Sequence, residues 1–209
     1  MPQLQDLCHL AYGPLASRLS EPHRISEEQL VDRGLQPVLV LSGQDFDAEG
    51  YPVTPRAGES RHEAGQLALA TPDLIDTFGV SPQTLLYLAK GSQHRACLPR
   101  FDSELPLLTG SSFIRLEIGE PARVVPEYLF AQLRSSRTWR QLEVRQEGAF
   151  IKNINRHALA ELVVHLDPPE RQRAVVEYTR LHRRARQLRE RLDDLERQRL
   201  NNLLNPDQR

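Results

Sequence analysis

The chain has 209 residues, 39% of them hydrophobic and 26% charged, with a formal net charge of −1. That length supports one globular unit with a real core plus an appendage, and leaves two full domains cramped. No apolar run approaches the roughly 20 residues that cross a bilayer, and the start MPQLQDLCHLAYG has no basic stretch followed by an apolar one. A membrane or secreted protein is therefore disfavoured and a cytoplasmic one expected.

The small net charge hides a division along the chain. Residues 1–80 hold 12 acids against 5 bases, whereas residues 81–209 hold 16 acids against 22 bases. Only Lys90 and Lys152 are lysine; the other 25 basic residues are arginine, whose planar fork suits bidentate contact with phosphate and guanine edges. Arginine bias also follows genomic composition, so the count alone does not name a partner. Cys8 and Cys97 lie far apart, and the seven histidines are scattered with no metal-ligand spacing. Two reduced, buried thiols and no metal site are expected.

In chain order, ISEEQLVDRG predicts a helix from Ser26 to Asp32, capped by Ser26 and stopped at Gly34. PVLVLSG predicts a buried strand, Val38 to Leu41, and the segment from Gln44 to Gln66 is loop-like. LLYLAKGSQHRACL predicts a hairpin, with strands Leu85–Ala89 and Ala96–Leu98 about a turn at Lys90–His94. SSFIRLEI alternates Arg115 and Glu117, expected outward, with Ile114, Leu116 and Ile118, expected inward. From Pro126 the period turns helical, with Leu129, Leu133 and Trp139 on or near one face. Asn155 is placed to cap a short helix before a strand, VVHL.

After Pro169 no further proline or glycine interrupts the chain before Leu204. Tyr178, Leu181, Ala185, Leu188, Leu192 and Leu195 recur at steps of four and three, a coiled-coil seam that fades at Arg199 and Asn202. Such a rod, roughly 50 Å long at ~1.5 Å per residue, is expected to project and pair with another helix. The periods predict a mixed α/β, strand-rich unit over residues 1–166, one long coiled-coil helix over 167–204 and a tail over 205–209. At the junction, Asp167-Pro168-Pro169-Glu170 opens like the Asp-Pro-Pro-aromatic loop of amino-methyltransferases, but Glu170 stands in the aromatic position and no Gly-x-Gly element follows a strand. It reads instead as a helix start, with Asp167 as cap, a proline in the first turn and Glu170 reaching back. Pro168, preceding a proline, resists the helical region and allows the cap to slip by a residue.

The order of LLYLAKGSQHRACL, SSFIRLEI, VPEYLFAQLRSS, EGAFIKNINRHALAELVVHLDPPERQ and the long helix resembles one half of a type I restriction-modification specificity subunit: a target recognition domain and its conserved helix. The resemblance runs from about Ser81 to Leu195, and PVLVLSGQDFDAEG extends it towards residue 37. Pro82 and Gln83 stand where the family has Gly-Asp before the hairpin strand, and Arg171 separates Glu170 from Gln172, which are adjacent in the family. Most members carry two recognition domains and two helices; this chain has one of each, which makes it a half-subunit expected to work as a pair.

The resemblance implies a non-catalytic subunit that recognises a half-site in double-stranded DNA. It further implies antiparallel pairing with a second copy or another half-subunit, and delivery of an adenine methyltransferase to a bipartite target. S-adenosylmethionine belongs to that modification partner, and a restriction subunit is a further potential partner; this chain is expected to hold no cofactor. The hairpin turn, Lys90, Ser92, Gln93, His94 and Arg95, is the candidate for base reading, since Gln pairs bidentately with adenine and Arg with guanine. Lys152, Asn153 and Arg156 in the glycine loop, with Arg137 and Arg140 on the preceding helix, are candidates for backbone contact. Each of these also reads as a solvated polar surface. A non-catalytic coiled-coil adaptor or regulator in phage defence or counter-defence stays open as a second class, kept so by the acidic first 80 residues. A neighbouring methyltransferase gene separates the two. An enzyme of its own lacks a nucleophile-base pair, a metal cluster or a phosphate loop.

Overall fold

The computed structural model describes residues 1–21, 25–53, 65–90, 95–146 and 154–204. Two sheets form the body of the protein. The first has the order β1-β7-β4-β5 and is antiparallel throughout, from Cys8–Tyr12 (β1), Phe113–Ile118 (β7), Thr84–Leu88 (β4) and Arg95–Cys97 (β5). The second is built on Gln36–Leu41 (β2), with Gln66–Ala70 (β3) antiparallel on one side and Leu107–Thr109 (β6) parallel on the other.

The central strands β4 and β7 are buried on both faces, because a helical layer covers one and the second sheet the other. Alternate residues serve the two cores. Leu85, Tyr87, Ile114 and Leu116 join Leu129, Phe130 and Leu159 on the helical side, while Leu86, Leu88 and Phe113 join Leu41 and Phe46 between the sheets. The second core overturns one expectation. Arg115, read as facing water, is 8% exposed, and its guanidinium donates to the carbonyls of Thr77 at 2.7 Å and Gly79 at 2.8 Å and to Glu117 at 3.4 Å. These carbonyls end the helix Pro72–Phe78 (α2), so a cation meets the negative end of a helix inside the fold.

Glu27–Asp32 (α1) ends at Gly34, whose φ of +57° is the left-handed stop expected there. The helical run from Pro126 is two helices, Pro126–Leu133 (α3) and Ser136–Gln146 (α4). The Ser135 hydroxyl accepts from Thr138 N–H, and the Thr138 hydroxyl donates to the Gln132 carbonyl at 2.7 Å, which breaks the run without glycine or proline. Leu129 and Leu133 are buried, but the break turns Trp139 outward to 44% exposure. Asn155 caps Arg156–Ala160 (α5) as expected, accepting from Ala158 N–H at 2.7 Å. VVHL is not a strand; a single bridge joins Val163 to Gln3. Cys8 and Cys97 are free and buried, and burial pushes both thiols up to about 12.

The long helix, Pro169–Leu204 (α6), has 36 residues and so spans about 54 Å. No described helix is long and apolar enough to cross a membrane. Its start differs from the capping box expected of Asp167 and Glu170. The Asp167 carboxylate accepts from Tyr128 Oη at 2.9 Å and meets His165 Nε2 at 3.1 Å, and Glu170 pairs with Arg173. Gln172 roots the helix instead. It is fully buried, accepts from Val125 N–H at 2.8 Å, and donates to the carbonyls of Arg123 and Asp167 at 2.8 and 2.7 Å.

Candidate nucleic-acid interface

The antiparallel register brings Tyr12 at the end of β1, Phe113 at the start of β7, Leu88 at the end of β4 and Arg95 at the start of β5 to one end of the first sheet. At this end an open groove of about 900 Å³ runs between the two sheets, lined by Gln44, Gln66, Lys90, Arg95 and Ser112 among others. Lys90, Gln44 and Gln66 are exposed. The two glutamines had no part in the sequence expectation, although amide side chains are able readers of adenine.

Gln44 is held in place by its neighbours. Ser42–Asp45 forms a short turn in which the Asp45 carboxylate accepts from Ser42 N–H at 2.7 Å and from the Ser42 hydroxyl at 2.9 Å. Its other oxygen accepts from Gly65 N–H at 2.7 Å, which ties the turn to the start of β3. Gly65 has a φ of +76°, and a Cβ there would stand 2.9 Å from the Val40 carbonyl, so only glycine lets this segment close on β2.

Of the expected base readers, Ser92, Gln93 and His94 lie outside the described residues, as do Lys152 and Asn153 of the glycine loop. The described residues beside both segments are joined: Ile154 N–H donates to the Ala89 carbonyl at 3.1 Å, next to Lys90. Arg156 stands at the same end, its N–H donating to Tyr12 Oη at 3.2 Å. Arg95 has a different setting from the exposed tip expected for it. It is half-buried, and Nη2 donates to the carbonyls of Gly43 at 2.8 Å and Phe46 at 3.1 Å, bracing the turn that carries Gln44. Arg137 and Arg140 are exposed on α4, where Arg137 meets Met1 Sδ; no described contact joins either to the groove.

Beyond the turn, the same loop reaches the long helix. Asp47 pairs with Arg183 at 3.1 Å. Glu49 pairs with Arg186 through both oxygens and lies 3.7 Å from Arg134. The Arg186 hydrogen bond holds the Glu49 carboxyl below the usual glutamate range. Tyr51 lies flat beneath Arg183, whose guanidinium carbon is 3.6 Å from the ring centre. The seam residues are placed otherwise: Tyr178 is 69% exposed, Leu181 and Leu188 54%, Leu192 56% and Leu195 46%, with Ala185 half-buried.

No protein-family model matches the chain, and no curated protein matches it. Among solved structures, a chain of a type I R-M system assembly aligns with a TM-score of 0.59 at 16% identity, over 98% of this chain and 47% of that one. The type I restriction-modification S subunit from M. genitalium aligns with a TM-score of 0.52 at 16% identity, over 99% and 46%. An HsdS subunit from Thermoanaerobacter tengcongensis aligns at 0.46 and 17% identity, over 93% and 38%. The chain thus spans less than half the length of each. It has the fold of the S subunits, a mixed α/β domain followed by a long helix.

Proposed function

We propose that the chain is a non-catalytic DNA-specificity subunit of the type I restriction-modification kind. In this reading residues 1–166 read one half-site, residues 167–204 form the dimerisation and spacer helix, and 205–209 are a tail. The observation that carries it is the open groove at the sheet end, where exposed Gln44, Gln66 and Lys90 are presented on a braced scaffold, with Arg156 at the same end. Glutamine amides suit base edges and cations suit phosphates, the two kinds of contact that specify and position a DNA reader. The hairpin tip Ser92–His94 and the loop carrying Lys152 and Asn153 complete the surface in this proposal.

The outward seam supports pairing with a second copy. At about 100° per residue, Tyr178, Leu181, Leu188, Leu192 and Leu195 fall on the side of α6 opposite Gln172, Val176, Thr179 and Arg183. An antiparallel mate on that seam presents two recognition domains to inverted half-sites. A partner adenine methyltransferase, holding S-adenosylmethionine, and where present a restriction subunit act on the site so marked.

The rival reading as an adaptor drew on the acidity of residues 1–80. Part of that acidity is used inside the fold, where Asp45 accepts backbone N–H groups and Asp47 and Glu49 bind arginines. Selection of the purified protein on a pool of random-sequence DNA duplexes tests the proposal. One motif repeated in inverted orientation is expected, with log affinity falling linearly in log salt. No enrichment over the starting pool contradicts it.

A further inference from the structure

We infer that the loop Ser42–Val53 is a bracket that sets the spacing between half-sites, with Asp47 and Glu49 as its positioning residues. The inference rests on the proposed DNA reading, and its positioning residues, Asp47 and Glu49, lie outside the groove lining.

The loop has two working sides. Its first turn lines the groove through Ser42, Gly43, Gln44 and Asp45. Its second part grips the long helix through Asp47, Glu49 and Tyr51, against Arg183 and Arg186, and Glu49 also faces Arg134 at the end of α3. Between them the loop is closed on itself: Asp47 N–H donates to the Tyr51 carbonyl at 2.8 Å, Val53 N–H donates to the Asp45 carbonyl at 2.9 Å, and Asp47 Oδ1 accepts from the N–H groups of Glu49 and Tyr51 at 2.9 Å each. It is also pressed onto the first sheet. Leu98 N–H donates to the Gly50 carbonyl at 2.8 Å, and a Cβ at Gly50, whose φ is +80°, would stand 2.0 Å from the Ala96 carbonyl. Groove, sheet and helix therefore meet in a dozen residues.

Elsewhere the inward face of α6 is fixed at its root by Gln172, on the start of α3. The ion cluster holds it again at Arg183 and Arg186, three to four turns further on. One attachment leaves a rod free to swing about its root; two attachments fix its direction. The direction matters because the distal half of the seam, Leu188, Leu192 and Leu195, lies beyond the second attachment and stays exposed. In a pair joined there, a small change of angle at Arg183 and Arg186 moves each groove along the DNA by an amount multiplied by the lever arm. The half-site read by each groove is unaffected.

The test uses the full chain with Asp47→Asn and Glu49→Gln together. The amide introduced at position 47 keeps the carbonyl oxygen that closes the loop, so the change removes charge and leaves the turn chemistry in place. In selection from the random duplex pool, the wild type is expected to enrich one motif at a single spacer length. The double variant is expected to enrich the same motif with spacers spread over neighbouring lengths. An unchanged spacer length overturns the inference while leaving the DNA reading intact, and a pool without any motif overturns both. A second measurement needs no DNA. Spin labels at Asp73→Cys and Gln198→Cys, in protein diluted with unlabelled chain, report the distance between the domain and the far end of the helix. The distribution is expected to be narrow in the wild type and wider in the double variant, and equal widths contradict the bracket.

Discussion

The two faces of α6 invert the ordinary rule for a surface helix. The face turned to the protein's own domain is held by an amide and two arginines, Gln172, Arg183 and Arg186, with Val176 and Thr179 among them. The face turned away carries Tyr178, Leu181, Leu188, Leu192 and Leu195. An amphipathic helix stabilised by its own core would do the reverse. The polar inward face gives direction, because hydrogen bonds and ion pairs are geometrically specific. The apolar outward face stays exposed in this chain, and in the proposed pair it would supply the association energy.

The comparison breaks most completely at the outward face. If the proposed pair buries Leu188 and Leu192 of each chain, replacing them by aspartate removes about 1.5–3 kcal/mol per leucine from it. Sedimentation is expected to show monomers with unchanged circular dichroism, and an unchanged dimer would refute the seam. At the inward face Gln172→Ala removes a fully buried amide and its hydrogen bonds to the backbone of Arg123, Val125 and Asp167, a cost of about 1–3 kcal/mol. For a chain of this size that lowers Tm by roughly 2–12 °C, measurable by calorimetry at fixed protein concentration.

Two smaller changes sharpen the picture at the groove and at the bracket. Lys90→Ala is expected to weaken binding to all duplexes and reduce the slope of log affinity against log salt by about one, with Tm unaltered. Arg95→Ala, which unbraces the carbonyls of Gly43 and Phe46, is expected to lower Tm as well. The smallest effect is that of pH. Glu49 is held below its ordinary value chiefly by Arg186, so its contribution is complete above the normal glutamate range and disappears as pH falls through the depressed folded value. The spin-label distance is expected to stay narrow at mildly acidic pH and to widen only below the usual glutamate range.

Much of this was legible in the chain. The strand of PVLVL, the hairpin flanks, the caps at Asn155 and Gly34 and the exposed seam followed from period, β-branched content and turn chemistry. What escaped has physical causes. CHLAY and QLALA form β1 and β3 with no β-branched residue, so their pairing is set by neighbours and not by propensity. Arg115 alternates as a surface residue should, and only the second sheet, made from distant segments, shows that both faces are covered. The division between α3 and α4 rests on hydroxyl bonds of Ser135 and Thr138, residues that occur inside many unbroken helices. Asp45, Asp47 and Glu49 counted in the sequence as anonymous acidity, because their arginine and backbone partners are as far as 137 residues away.

The claim at the centre is that one groove reads one half-site and that two copies read it twice. The direct test is to sequence the methylome of cells that express this chain with the proposed partner methyltransferase. The account predicts adenine methylation within a bipartite motif whose halves are inverted repeats at one fixed spacing, lost when the chain is withheld. A continuous motif, or methylation that does not depend on this chain, would contradict it.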